Sequence, residues 1–408
     1  MILEAMVRGA RASVTWKNIN ISESFETPHV GRIELTGARS ATYEQLYKTQ
    51  PWVHTAVNRI ARGVGRLPLH PYRDGNSAGE RERQRVGPLA ELLDYPYTFG
   101  NASLWKQAIL TNLLIHSNVI LPKLRRAPGM PPYALPPSSF AYWKPIYGRS
   151  GDLEWWFFDG GTPETRLSYR PEEVIHVHPW ATGRGVVAIS PLEALRSTLA
   201  GEDAAQRAAL SAFEHGFRPP GAYSVEGQLS PENMKELRAY LDQTYGGPDN
   251  LAKVLLLDNG AKYQQLSSGS LVDADLGNLR KLMREEVLAV YNLPQPSAGV
   301  LDRATFSNVV EQHLMEYQDT YGPWTTLIEE TLQTQLIDLE PTMRGQYVEF
   351  NYKEVLKGDP VREMETLVKA VGGPYMTPNE ARATQNLPPI EEGDELNPSP
   401  NQTNTPSD

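Results

Sequence analysis

A chain of 408 residues with 40% hydrophobic and 22% charged residues, 33 prolines and 32 glycines is long enough for two or three domains and has the composition of a globular protein rich in turns. It has no cysteine, which excludes disulfide frameworks, thiolate zinc sites and cysteine nucleophiles, and its net charge of -10 argues against a tight grip on DNA, which draws on Lys and Arg displacing counterions. The longest apolar stretches, Ala108 to Ile115 and Val254 to Leu257, fall far short of the ~20 residues that cross a bilayer, and Met1 to Ala10 lacks the succession of a secretory signal, so a cytosolic protein without a membrane span is expected.

Residues 1 to 40 show no sustained period and read as an irregular arm. Beyond Tyr43, Trp52, Ala56, Val57, Ile60, Ala61 and Val64 recur at helical spacing until Leu67-Pro68-Leu69 breaks the pattern. After the turn Asp74-Gly75-Asn76, a second helix is predicted from Ser103, on Trp105, Ala108, Ile109, Asn112 and Leu113. Residues 118 to 180 change to Pro, Gly and aromatics and read as strands and turns, packed by Tyr142, Trp143, Trp155, Trp156, Phe157 and Phe158.

Ser190-Pro191-Leu192-Glu193 combines a capping serine, a first-turn proline and a glutamate at the capping-box position, so a long helix is predicted from there to Gly216. Its alanines (Ala204, Ala205, Ala208, Ala209, Ala212) allow close approach of a neighbouring helix, although simple helix propensity explains them as well. Residues 217 to 267 form a compact insertion with strand-like ends and one helix from Ser230-Pro231 to Tyr245. The next helix spans about Asp273 to Tyr291, with Leu276, Leu279, Met283, Val287 and Val290 on one face. A loop from Gln295 to Thr305 precedes a third long helix carrying Phe306, Val310, His313, Tyr317, Tyr321, Trp324, Ile328, Leu332 and Leu336. Gly322-Pro323 in its middle predicts a kink, because proline lacks the N–H donor and crowds the preceding turn. A strand over 346 to 352, a helix from Asp359-Pro360 to Gly372-Gly373 and a short helix from Thr377-Pro378 complete the order, and Glu391 to Asp408 reads as a disordered tail.

Five local motifs fall in one order along the chain: Leu67-Pro68-Leu69-His70-Pro71-Tyr72; Glu172 to His176 leading to Ser190-Pro191-Leu192; Glu286-Val287 through Tyr291 to Pro294; Pro323 with Ile328-Glu329; and Gly373, Thr377, Asn379, Glu380, Arg382 and Leu387-Pro388-Pro389. Over roughly residues 43 to 395 this succession resembles the portal proteins of tailed double-stranded DNA bacteriophages. Two positions depart from the pattern: the family's Gly-Asn-Ala-Tyr is His116-Ser117-Asn118-Val119 here, and its glycine two before Ser190 is Ala188.

The resemblance implies an α+β portal fold: an N-terminal arm (1–40), a wing (41–189 with 339–358), stem helices (190–216 and 270–291), a clip (217–269), a tunnel loop (292–305), a long kinked helix (306–338), a crown (359–395) and a tail (396–408). It further implies a non-enzymatic homo-oligomeric ring, typically a dodecamer, in the virion at one capsid vertex and assembled in the host cytoplasm. By the same resemblance, double-stranded DNA passes through the channel, the terminase motor docks there and is replaced by head-tail adaptor proteins, and the major capsid protein surrounds the ring. No cofactor is implied.

A channel that moves DNA needs little affinity, since each close cation-phosphate contact adds friction, and an acidic chain suits sliding. The expected DNA contacts are Val300, Leu301, Asp302 and Arg303 of the tunnel loop, with Arg280, Lys281 and Arg284 of the stem; an ordinary solvated helix face is the plainer reading of the last three. Arg303 has a second reading too, an ion pair with Asp302 or with Glu311 of a neighbouring subunit. The alternative function is a metal-dependent hydrolase, because His176 and His178 alternate on a predicted strand and so face the same way. The adjacent pairs Glu172-Glu173, Glu285-Glu286 and Glu329-Glu330 splay apart and read as surface charge, and no phosphate-cradling Gly-x-x-x-x-Gly-Lys-Ser/Thr segment occurs, so packaging energy is expected from another protein.

Overall fold

The computed structural model describes residues 32–35, 39–75, 81–97, 100–181, 185–214, 221–224, 230–236, 239, 262–265, 276–300, 315–352, 360–371, 373, 375–384 and 387–396. They fall into two compact units, Met1–Arg66 with His70–Glu349, and Leu67–Leu69 with Phe350–Asp408.

The first unit opens on an antiparallel hairpin, β1 (Arg32–Leu35) and β2 (Arg39–Thr42), where the sequence had suggested an irregular arm. Arg32-Ile33-Glu34-Leu35 alternates polar and apolar, but only over two repeats, and Arg39-Ser40-Ala41-Thr42 does not sustain the alternation. Thr42 then caps α1 (Tyr43–Thr49): its hydroxyl accepts from the Gln45 N–H at 3.2 Å while the Gln45 side chain accepts from the Thr42 N–H at 2.9 Å. In α2 (Pro51–Arg66) the stripe Val53, Ala56, Val57, Ile60, Ala61 and Val64 is fully buried, which is the helical spacing of the sequence turned into a packed face. Each buried valine or isoleucine contributes about 1.5–3 kcal/mol. The helix stops at Arg66, just before Leu67-Pro68, because Pro68 has no N–H with which to continue the ladder.

The short strands β3 (Leu69–Asp74) and β4 (Arg81–Arg83) and the helix α3 (Pro88–Asp94) lead to α4 (Ala102–His116), which packs along α2 and buries Trp105, Ile109, Leu110, Leu113 and Leu114. Asn101 caps its start by accepting from the Leu104 N–H at 2.9 Å. Ser117 ends it in the left-handed conformation at φ 54°, a position that costs any residue with a Cβ.

Residues 119 to 177 form two antiparallel sheets: β10-β5-β6, from β5 (Val119–Pro122), β6 (Ser138–Ser139) and β10 (Val174–Val177), and β7-β8-β9, from β7 (Trp143–Tyr147), β8 (Leu153–Asp159) and β9 (Arg166–Tyr169). Strand alternation sorts the aromatics. Trp143, Trp156 and Phe158 join Phe140, Ile120, Tyr169 and Val174 in one core, whereas Trp155 and Phe157 point the other way and Tyr142, expected inside, is exposed.

Ser190 starts the next helix as its sequence promised, its hydroxyl accepting from the Leu192 N–H at 3.1 Å and donating to the Ile115 carbonyl at 2.6 Å. The predicted single helix is divided at Leu195 into α5 (Pro191–Ala194) and α6 (Arg196–Glu214). After β11 (Gly221–Ser224), a helical stretch over 231–236 and β12 (Lys262–Gln265), most of the insertion lies outside the described residues. It is followed by α7 (Leu276–Val290).

The long helix is described from Met315. Its ladder widens to a π-turn over Glu316–Tyr321, continues as α8 (Gly322–Leu332), and widens again over Gln333–Ile337. The irregularity sits where Gly322-Pro323 predicted a break. Pro323 cannot donate to the Asp319 carbonyl, and that oxygen instead accepts from the Asn292 side-chain amide at 2.9 Å. The helix end is fastened by Glu340, which Arg125 grips with two guanidinium nitrogens. β13 (Gln346–Phe350) then adds to β3 in the sheet order β13-β3-β4.

In the second unit, the Asn351 N–H donates to the Pro68 carbonyl at 2.8 Å, and two helices follow, α9 (Pro360–Val371) and α10 (Pro378–Thr384). The spacing of Asn379 and Leu387-Pro388-Pro389 has a physical basis. The Asn379 side chain donates to the Ile390 carbonyl at 3.0 Å and to Asp394 at 2.8 Å and accepts from the Ile390 N–H at 2.8 Å, while Arg382 donates to the Pro388 carbonyl at 2.8 Å. One asparagine thereby folds the whole turn back onto α10.

Candidate functional site

The two helices that bracket the insertion, α6 and α7, pack against each other, and both rest on the start of α2. At Gly201 a Cβ would stand 2.7 Å from the terminal methyl of Met283, so only glycine fits without displacing that side chain. Two polar ties run between the helices. Glu202, 8% exposed, accepts from Arg280 at 3.0 Å, and the Thr198 hydroxyl donates to Glu286 at 2.6 Å. At their foot Val287, Leu288 and Leu199 are buried, and the Tyr291 hydroxyl donates to the Leu114 carbonyl at 3.1 Å, joining α7 to α4. Burial raises that hydroxyl's pKa far above its ordinary value, so it stays a donor.

The seven expected DNA contacts separate accordingly. Arg280 is committed to Glu202. Arg284 lies over the Trp52 ring, 5.5 Å from its centroid, and approaches Glu285 at 3.9 Å with only 14% of its side chain exposed. Lys281 is exposed on α7, on a different face from the exposed apolar side chains Leu279 and Val290. Val300 is buried, 8% exposed, at the end of a short 3-10 turn over Gln295–Ala298 that Gly299 closes at φ 84°. Leu301, Asp302 and Arg303 lie outside the described residues, as does Glu311. Trp52 was read only as part of a helical stripe, and Glu202, Thr198 and Gly201 were not singled out in the sequence; the one signal they left is a glycine inside an alanine-rich helix.

The histidine pair does not form a metal site. His176 is buried, its Nε2 lies 3.1 Å from Asn118 Oδ1, and the His178 Nδ1 lies 2.7 Å from the Pro179 carbonyl. Their rings are stacked, 4.3 Å between centroids and 28° between planes, so their in-plane lone pairs do not converge on a common point. Burial, and then the neighbouring His178, hold the pKa of His176 well below its ordinary value, which suits a neutral ring packed among Phe140 and Trp156. Among the described residues no three His, Asp or Glu side chains are grouped to hold a metal ion.

Asn118 also binds Ala188, donating to its carbonyl at 2.7 Å and accepting from its N–H at 3.1 Å. The two positions at which the sequence departs from the family's motifs are thus hydrogen-bonded to each other.

The family model described as "Phage portal protein" matches residues 51–386. The chain is 24% identical over 375 residues to the "Probable portal protein" of Streptomyces phage phiC31, covering 90% of this chain and 80% of that one. It is 23% identical over 353 residues to the "Portal protein" of Enterobacteria phage HK97, covering 84% and 80%. Among solved structures it superposes on a chain from the neck of an empty gene transfer agent particle with a TM-score of 0.60 at 20% identity, covering 85% of this chain and 94% of that one. A similar superposition, TM-score 0.56 at 17% identity with 78% and 98% covered, is found with an HK97-family phage portal protein from Corynebacterium diphtheriae. With a match across most of its length, with an α+β architecture shared with solved portals, and with paired helices, a π-broken long helix and an asparagine-pinned turn accounting for its motifs, this chain belongs to the phage portal protein family.

Proposed function

We propose that the chain is a structural subunit of a ring, typically dodecameric, at one capsid vertex, through whose axial channel double-stranded DNA is packaged and later ejected. The observation that carries this reading is the pairing of α6 with α7 on the foot formed by α2: two helices crosslinked by Arg280–Glu202 and Thr198–Glu286 make a stiff two-stave unit. The pair still exposes Leu279, Leu282 and Val290, apolar side chains that copies of the same helix pair would cover in a ring. An acidic chain whose stem arginines Arg280 and Arg284 are already engaged within the subunit offers DNA few strong contacts, which favours sliding over binding.

In this reading Leu301, Asp302 and Arg303 approach the duplex beyond the buried anchor Val300, and Lys281 is the stem cation available for phosphate. The terminase motor supplies the packaging energy and docks at the insertion between α6 and α7, head-tail adaptors replace it there, and the major capsid protein surrounds the ring. The subunit carries out no chemistry of its own. Replacing Leu301, Asp302 and Arg303 together by glycine tests the loop: rings are expected to assemble normally while the DNA packaged per particle falls severalfold. Full packaging by such rings would remove the loop from the DNA path.

A further inference from the structure

On either side of the interval 301–314 the chain is held at one buried carboxylate. Glu316 is 1% exposed, and its two oxygens accept from Arg59 Nε at 2.9 Å and Arg59 Nη2 at 3.1 Å, from the Ser297 hydroxyl at 2.7 Å and from the Tyr321 hydroxyl. Burial pushes this carboxyl's pKa up, but hydrogen bonds from Arg59, Tyr321 and Ser297 outweigh burial and hold it below the ordinary carboxylate range. A second tie lies beside the first: Asn292, at φ 48°, donates to the Asp319 carbonyl at 2.9 Å and accepts through its own carbonyl from the Thr320 hydroxyl.

The surroundings are shaped for this arrangement. Gly63 lies one turn beyond Arg59 on α2, and a Cβ there would overlap the Tyr321 ring, so the glycine is what lets the tyrosine reach the carboxylate. A carboxylate offers about four lone-pair sites, and the four donors named here, from described residues, suffice to fill them. This site is therefore closed to a ligand or a metal, and what it does is mechanical: it ties Ser297, before the interval, and Glu316 with Tyr321, after it, to the same arginine of the same helix.

We propose that Glu316 is a positioning residue for the channel loop, fixing the points at which the chain leaves α2 after Ser297 and rejoins it at Tyr321. The clamp fixes the separation of the two anchor points from which that loop departs. This rests on the reading of that loop as the DNA contact, so the test separates the two ideas.

The chain has no cysteine, so Gln295→Cys and Gln318→Cys, both at exposed positions, can carry paired spin labels in rings assembled with an excess of unlabelled subunits. The parent rings are expected to give one narrow distance distribution. Ser297→Ala, which removes a single donor and spares the Arg59–Glu316 pair, is expected to broaden it, and Ser297→Thr, which keeps the hydroxyl, to restore it. A distribution in Ser297→Ala rings as narrow as in the parent overturns the clamp, whatever becomes of packaging. Packaged DNA in the same particles reports on the other idea: a broadened distribution with full packaging supports the clamp and removes the loop from the DNA path, whereas broadening with a severalfold loss supports both.

Discussion

His116 closes α4, and its Nε2 lies 3.1 Å from a Glu44 carboxylate oxygen on α1. That hydrogen bond, outweighing desolvation, brings the Glu44 pKa down from 4.5 to about 2. The folded pKa lies below the unfolded one, so the pair stabilises fully above pH 4.5, and its contribution is lost as pH falls toward 2. Glu44 is 38% exposed, and solvent screening reduces the contribution to about 1 kcal/mol. Glu44→Gln is accordingly expected to lower stability by about that amount at neutral pH, with the difference from the parent disappearing between pH 4.5 and 2 in thermal melts. On the buried face of α2, Gly63→Ala should cost about 1–3 kcal/mol by overpacking against Tyr321, read as a drop in the unfolding midpoint. Ser190 was legible as a cap from four letters, because capping is local. Glu316 was not, because Arg59, Ser297 and Tyr321 converge on it from three places in the chain, and no spacing rule connects them.

At the scale of elements, periodicity found α2, α4 and the paired helices, and the missing N–H of Pro323 found the break in the long helix. It could not find the widening to a π-turn before it, which depends on Asn292 arriving to satisfy the Asp319 carbonyl. Nor did it find the pairing of β1 with β2, of which only β1 alternates, and over just two repeats. The contact between α6 and α7 yields two expectations. A double-mutant cycle on Arg280 and Glu202 should return a coupling of about 0.2–1 kcal/mol, since half of the arginine side chain is in water. Gly201→Leu should do far more, wedging Met283 away and lowering the fraction of subunits recovered as rings in size-exclusion chromatography. In the second unit, Asn379→Ala removes the side chain that holds the Ile390 turn and is expected to cost about 1–3 kcal/mol, with faster amide exchange at Ile390 while α6 and α7 are unaffected.

For the whole molecule, the order of helices and strands was largely readable because several element boundaries carry their own chemical mark: Leu67-Pro68, the Ser190 cap, Pro294 and Gly322-Pro323. What the sequence could not supply was which charged side chains remain available once the helices pack. Arg280 and Arg284 looked equivalent to Lys281 in the sequence, yet Glu202 and Trp52 engage the first two, and only packing distinguishes them. On the proposed reading, the acidic balance of the chain and the internal use of Arg280 and Arg284 favour a surface on which DNA moves with little resistance.

All of this depends on how the α6–α7 unit is arranged in the assembly, and electron microscopy of the purified, assembled protein measures that directly. The expected result is a closed ring in which residues 196–214 and 276–290 of every copy surround an axial hole wide enough for a duplex. A closed assembly with those helices on its periphery, or with no central hole, would contradict the account.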